Sequence, residues 1–211
     1  FYAYRGNQDW QQAVVELEEM LNDDPGDTRR SIYLASALVF AGQHERARVR
    51  FEALLANRPD TDSALRDPLW YSPFPTLHAA WLRREHGDEP GAQALLELAR
   101  ADLRAHEEAG RILDWNDRSA ALLAVMEGND TAALRHMEQA FALGHRNLSL
   151  FDEPALTHLA DDPAFQDLER RMAGDLAVQR AAVLKLICNH NPAPEHWRPL
   201  PETCSGVEPG P

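Results

Sequence analysis

Four residues near the end of the chain, Cys188, His190, His196 and Cys204, carry the side chains that hold zinc, because thiolate and imidazole are its usual ligands. Their spacing, Cys-x-His-x5-His-x7-Cys, matches no familiar finger, and the proline-rich surroundings offer no helix to orient ligands. A Cys188–Cys204 disulfide that pins the tail back is the stronger expectation in an oxidising compartment, with two free thiols as the alternative. Elsewhere the signatures of enzymes are missing: there is no glycine-rich phosphate loop and no nucleophile elbow. His106-Glu107-Glu108 opens a His-Glu-Xaa-Xaa-His motif, but Gly110 stands where the second histidine is required. His44, His86, His136 and His145 sit near turns or charged faces and read as solvated or capping groups. His78, which follows an aromatic segment, reads as a satisfied histidine at a helix surface. No catalytic residue, metal or cofactor is therefore expected.

The elements that position these residues belong to a folded chain of 211 residues, 44% hydrophobic and 26% charged, long enough for one domain with a sizeable core. With 21 Lys+Arg against 34 Asp+Glu the net charge is −13, and the arginine pairs Arg29–Arg30, Arg83–Arg84 and Arg170–Arg171 are each flanked by acids. Phosphate backbones require a basic footprint, so a nucleic-acid partner is excluded. No apolar run approaches the roughly 20 residues a membrane helix needs, and no membrane contact by this segment is expected. The chain opens Phe1-Tyr2-Ala3-Tyr4, without Met, a basic n-region or an apolar signal core. We read it as a piece of a longer protein, although a cleaved signal peptide leaves the same start.

A repeat organises the first third. Ala13 and Ala47, Leu17 and Phe51, Met20 and Leu54, and Pro25 and Pro59 all stand 34 residues apart. Leu34, Ala35 and Leu38 mark the buried stripe of one helix, Gly42 permits a tight turn, and Ala47, Phe51 and Leu54 mark the facing stripe of the next. The small Ala47 lets two backbones approach, and Pro59 ends the second helix because it cannot donate the backbone hydrogen bond.

These residues resemble the tetratricopeptide repeat family. The match is closest over residues 28–61, with Leu34, Ala35, Leu38, Gly42, Ala47, Phe51, Leu54 and Pro59 at signature positions and only the aromatic of the first helix replaced, by Ser31. Residues 8–27, with Trp10, resemble the second helix of a preceding, incomplete repeat. A third unit carries Gly87, Ala92, Leu96 and Ala99 and a fourth Gly128, Ala133, Met137 and Ala140, at spacings of 45 and 41 residues instead of 34. The extra length lies in an aromatic insertion at 62–74 and in a longer helix at about 90–109. Asp162-Pro163 starts a further helix with Phe165, Leu168 and Met172. A separate one over about 175–187, with Leu176, Val183, Leu184 and Ile187, is expected to cover the last exposed face. Residues 188–211 form a Pro-rich extended or disordered tail.

The resemblance implies an all-α, right-handed superhelix of helix pairs over residues 1–187 with a C-terminal capping helix. It also implies a concave groove lined by the first helices, where a protein or peptide partner binds without catalysis. Counting Gly42, Gly87 and Gly128 as the fifteenth repeat position places Arg29, Ile32, Ser36, Val39 and Phe40 in the groove. Phe74, Leu77, Trp81, Arg84 and Glu85 follow, then Trp115, Arg118, Leu122, Val125 and Met126. Arginine beside aromatics suits an interaction hot spot; packed core is the alternative for Leu77 and Trp81. Trp70 and Tyr71 form a lid on this reading, and Arg84 and Arg118 meet an acidic group. The Asp-Pro-Xaa-Phe unit at 162–165 resembles the C-terminal repeat regions of bacterial membrane-bound regulators and adenylate cyclases. The bias to Arg and Ala, with Lys185 the only lysine, fits a bacterial source. Cytoplasm and periplasm both remain open, the latter favoured by a disulfide. A small-molecule pocket under the 62–74 insertion and a self-association surface are the competing functions.

Overall fold

The computed structural model describes residues 9–64, 70, 72–110, 114–189 and 201–205, with the side chains of residues 114, 115, 201 and 202 outside the description. Tyr71, His190, His196, the Trp115 side chain and most of the expected tail thus lie outside the described residues. The helices are α1 Trp10–Asp23, α2 Thr28–Phe40, α3 His44–Leu55, the short α4 Thr61–Ala64, α5 Phe74–Glu85, α6 Glu89–Glu108, α7 Asp114–Met126, α8 Asp130–Ala142 and α9 Pro163–Asn189. Two 3-10 segments, Leu148–Leu150 and Pro154–Leu159, separate α8 from α9, and a third spans Pro201–Cys204. The fold is all-α and of the helical-repeat type.

The turns show why this sequence breaks into pairs. Gly42, Gly87 and Gly128 have φ of 72°, 78° and 76°, the left-handed region that only glycine enters without strain. The next residue then donates back to the helix it has left: Gln43 N to Leu38 O, Asp88 N to Arg83 O and Asn129 N to Ala124 O, at 2.8–2.9 Å. The following helix starts on a side-chain cap in two of the three, Asp88 accepting from Gly91 N and Asn129 from Ala132 N, both at 3.0 Å. Asp9 and Asp27 cap α1 and α2 in the same way.

Inside each pair the small-large-small stripe is fully buried: Ala47 and Phe51, then Ala92, Leu96 and Ala99, then Ala133, Met137 and Ala140 all have 0% exposure. Three apolar clusters follow one another along the chain, around α1–α3, α5–α7 and α7–α9, so the core is a strip with neighbour contacts.

The two departures from the 34-residue spacing prove to be one device. Asp102, in the extra turns of α6, is buried and accepts both Nη2 bonds of Arg58 at 2.6 Å and the Thr61 hydroxyl at 3.0 Å. The lengthened helix therefore holds the start of the insertion.

At the C-terminal end the expectation of two helices is corrected to one continuous helix, Pro163–Asn189. No proline or cap interrupts it, and an interior glycine such as Gly174 costs only about 1 kcal/mol. Its first turns provide the cap, with Phe165, Leu168 and Met172 packed among Met137, Leu150 and Leu156. The second half does not cover a face: Val178, Val183 and Leu186 are exposed, Val178 at 71%.

Candidate functional site

The first helices α2, α5 and α7 lie side by side, α5 touching both others. At their centre His78 is not at the surface, as its sequence context suggests, but buried to 1% exposure. Its ring has Phe74 at 4.7 Å, Phe51 at 5.7 Å and Phe40 at 6.1 Å between centroids. His78 Nε2 lies 2.7 Å from Glu153 Oε1, a carboxylate equally buried and 75 residues further on.

Glu153 opens the 3-10 segment Pro154–Leu159, which lies against α7, and Ala155 packs on the cluster of Leu77, Leu96 and Leu122. The chain's own 153–159 segment thus packs against α7 and against Leu77 and Leu122, residues expected to line an open groove. That segment is firmly seated, because Leu156 and Leu159 are themselves core residues. Leu77, Leu122, Val125 and Met126 are buried.

Of the expected groove arginines, Arg118 is buried to 8% exposure with its guanidinium 4.7 Å over the Phe74 ring. Arg84 is half-buried, donating to Met126 O at 2.5 Å and to both carboxylate oxygens of Glu89 at 2.8 and 3.0 Å. Arg29 is exposed. Phe40 stacks on Trp10 at 4.4 Å, and Trp81 meets His44 edge-on at 4.9 Å; both keep part of their surface in solvent, as does Phe74.

A second concave feature lies on the other stripe of α2. A cavity of about 960 Å³ is lined by Thr28, Ser31 and Leu38 of α2, by residues from Glu45 to Leu54 of α3, by Asn57 and Pro59, and by Trp70 from the insertion. Leu38, Leu54 and Trp70 form its buried floor, while Glu45, Arg46, Val49 and Ala53 form an exposed rim. Trp70 therefore walls this cavity, and its indole joins the first core cluster. Arg50 is half-buried here and donates from Nη1 to Ser31 Oγ at 3.1 Å. On the rim, Glu45 is held below the ordinary carboxylate range, chiefly by hydrogen bonds from Arg48, and Arg48 is held more firmly charged by Glu45 and Glu52.

Sequence reasoning passed over Glu153 and Arg50. For Glu153 no local signal exists, since its partner is 75 residues away. For Arg50 the repeat register was available: Ser31 and Arg50 occupy the same places in their unit as Asp117 and His136 do in the fourth, each pair 19 residues apart.

Cys188, at the end of α9, and Cys204 are disulfide-bonded, with 5.7 Å between Cα atoms, so neither sulfur is a thiolate ligand. Among the described residues no group of three or more His, Cys, Asp or Glu side chains is placed to hold a metal ion, and no helix is long and apolar enough to cross a membrane.

A family model described as Tetratricopeptide repeat matches residues 4–67. No curated protein and no solved structure matches the chain. The match spans α1–α3, the unit in which the glycine turn and the Ala47–Phe51 stripe are clearest. Residues 4–67 are thus similar to a tetratricopeptide repeat, within an all-α helical-repeat fold.

Proposed function

We propose that the domain is a non-catalytic scaffold or sensory module of a larger bacterial protein, and that it binds a protein or peptide along the uncovered part of the first-helix face. Tetratricopeptide repeats generally mediate protein–protein interaction. The observation that carries the reading is the run of Arg29, Phe40, Phe74, Trp81 and Arg84 on α2 and α5, which keeps aromatic and guanidinium surface in contact with solvent. Such residues concentrate binding energy because they bury large area at low rotamer cost and offer directed donors. Trp115 belongs to the same proposal by its place at the start of α7, and Arg118 supports it from below by holding Phe74.

The test is partner recovery by the full chain carrying Arg29→Ala with Trp81→Ala, since neither residue makes a buried ion pair. Recovery should fall to background while the variant stays folded at the assay temperature, its melting temperature lowered by the packing Trp81 gives up. Equal recovery by the variant and the parent would remove this face from consideration. Arg118→Ala is a poor probe, because deleting a buried guanidinium destabilises the core.

A further inference from the structure

We infer that the cavity between α2 and α3 binds a small aromatic carboxylate, its acid group on Arg50 and its ring between Leu38, Leu54 and Trp70. This site is separate from the partner surface, since Thr28, Ser31 and Leu38 lie on a different stripe of α2 from Arg29 and Phe40.

The first argument is volume. In this unit the residue at the first-helix aromatic position is Ser31, and the cavity stands beside its hydroxyl. Its roughly 960 Å³ is at the upper end for a small-molecule site, with a floor of two leucines and an indole. A flat aromatic ring replaces what the serine omits and stacks on Trp70.

The second argument is charge, and it comes from comparing equivalent positions within the chain. In the fourth unit Asp117 Oδ1 lies 3.2 Å from His136 Nδ1. In the third unit the same two places hold Thr76 and Leu95, an arrangement without a cation. In the second unit the base-bearing position is Arg50, but the facing position offers only the Ser31 hydroxyl. Among the described residues Arg50 makes no ion pair, in a chain with net charge −13. The other guanidiniums near the cavity are engaged: Arg46 with Glu18 and Gln43, and Arg48 with Glu45 and Glu52. A partly buried arginine without a carboxylate has its remaining N–H donors available for one, and planar bidentate pairing favours a carboxylate. One cation without an ion pair among the described residues at this cavity, on an acidic protein, favours a monoanion over a phosphate dianion.

Calorimetric titration of the full chain with three aryl carboxylates, 3-phenylpropionate, indole-3-acetate and 2-naphthoate, tests this directly. At least one should bind saturably, its neutral amide about tenfold or more weakly, and Arg50→Gln should lose the acid by a similar factor. Ser31→Trp, which fills the cavity from within, should abolish binding while its melting temperature is equal or higher, showing that the loss is not unfolding. Equal binding of acid and amide, retained affinity in Arg50→Gln, or no saturable binding by any of the three acids would overturn the inference.

Discussion

His78 on α5 and Glu153 ahead of the second 3-10 segment form a buried contact of 2.7 Å between repeats that are not neighbours in sequence. Among the described residues this pair ties the chain's C-terminal third to its middle through polar atoms inside the core. Glu153 Oε2 and His78 Nδ1 have no further partner among the described residues, which leaves the two side chains dependent on each other.

Removing one member leaves the other buried without a counterpart. Glu153→Ala should therefore cost about 3–5 kcal/mol of unfolding free energy, read by urea denaturation, whereas His78→Leu combined with Glu153→Leu should recover most of that loss. If the double variant is as unstable as the single ones, shape and not polarity sets the cost.

Asp102 joins the lengthened α6 to the insertion through Arg58 and Thr61. Asp102→Ala should destabilise the chain by about 3–5 kcal/mol, because the Arg58 guanidinium is left buried. Hydrogen exchange should rise first around residues 58–64, where the lost bonds ended. A uniform rise over all units would show instead that the stack opens as a whole.

Reducing the Cys188–Cys204 bond should act locally. The second half of α9 has few packed neighbours, so a cross-link there restrains a segment outside the core strip. Cys188→Ser with Cys204→Ser should leave the main unfolding free energy within about 0.5 kcal/mol of the parent. Proteolysis beyond about residue 175 should accelerate. Peptide mapping without reductant checks the bond itself.

Glu45 gives a pH dependence with a definite sign. Its folded-state value lies below the unfolded one, so its contribution is present above the unfolded pKa and is lost as pH falls through the folded pKa. Between about pH 5 and pH 3 the parent should lose more stability than Glu45→Gln, measured by denaturant titration at fixed ionic strength. Parallel curves for the two proteins would count against a role for the Arg48 hydrogen bonds.

Much of the fold is legible in the residue order. The 34-residue offset, the three turn glycines and the Ala-large-Ala stripes are local patterns, and each is met by a helix pair of the kind they specify. Helix ends were less legible where no residue forces a stop: α9 runs through the place where two helices were expected because nothing in Ala173-Gly174-Asp175 excludes helix. The candidate site divides along the same line. The family resemblance, counted from the turn glycines, placed Arg29, Phe40, Phe74, Trp81, Arg84 and Arg118 on the first helices.

What periodicity cannot fix is which stripe the chain later covers. The helix pairs, their turns and their buried faces are written in the residue order, because they follow from backbone conformation and from apolar spacing within about 34 residues. Stacking of distant segments decided instead that residues 153–159 pack against α7, that His78 is a core residue, and that Asp102 binds Arg58 and Thr61 just ahead of the insertion. It also put Arg50 at a cavity where, among the described residues, it makes no ion pair. Each of these is a contact between distant parts of the chain, set by how successive units stack and by the need of every buried polar group for a partner.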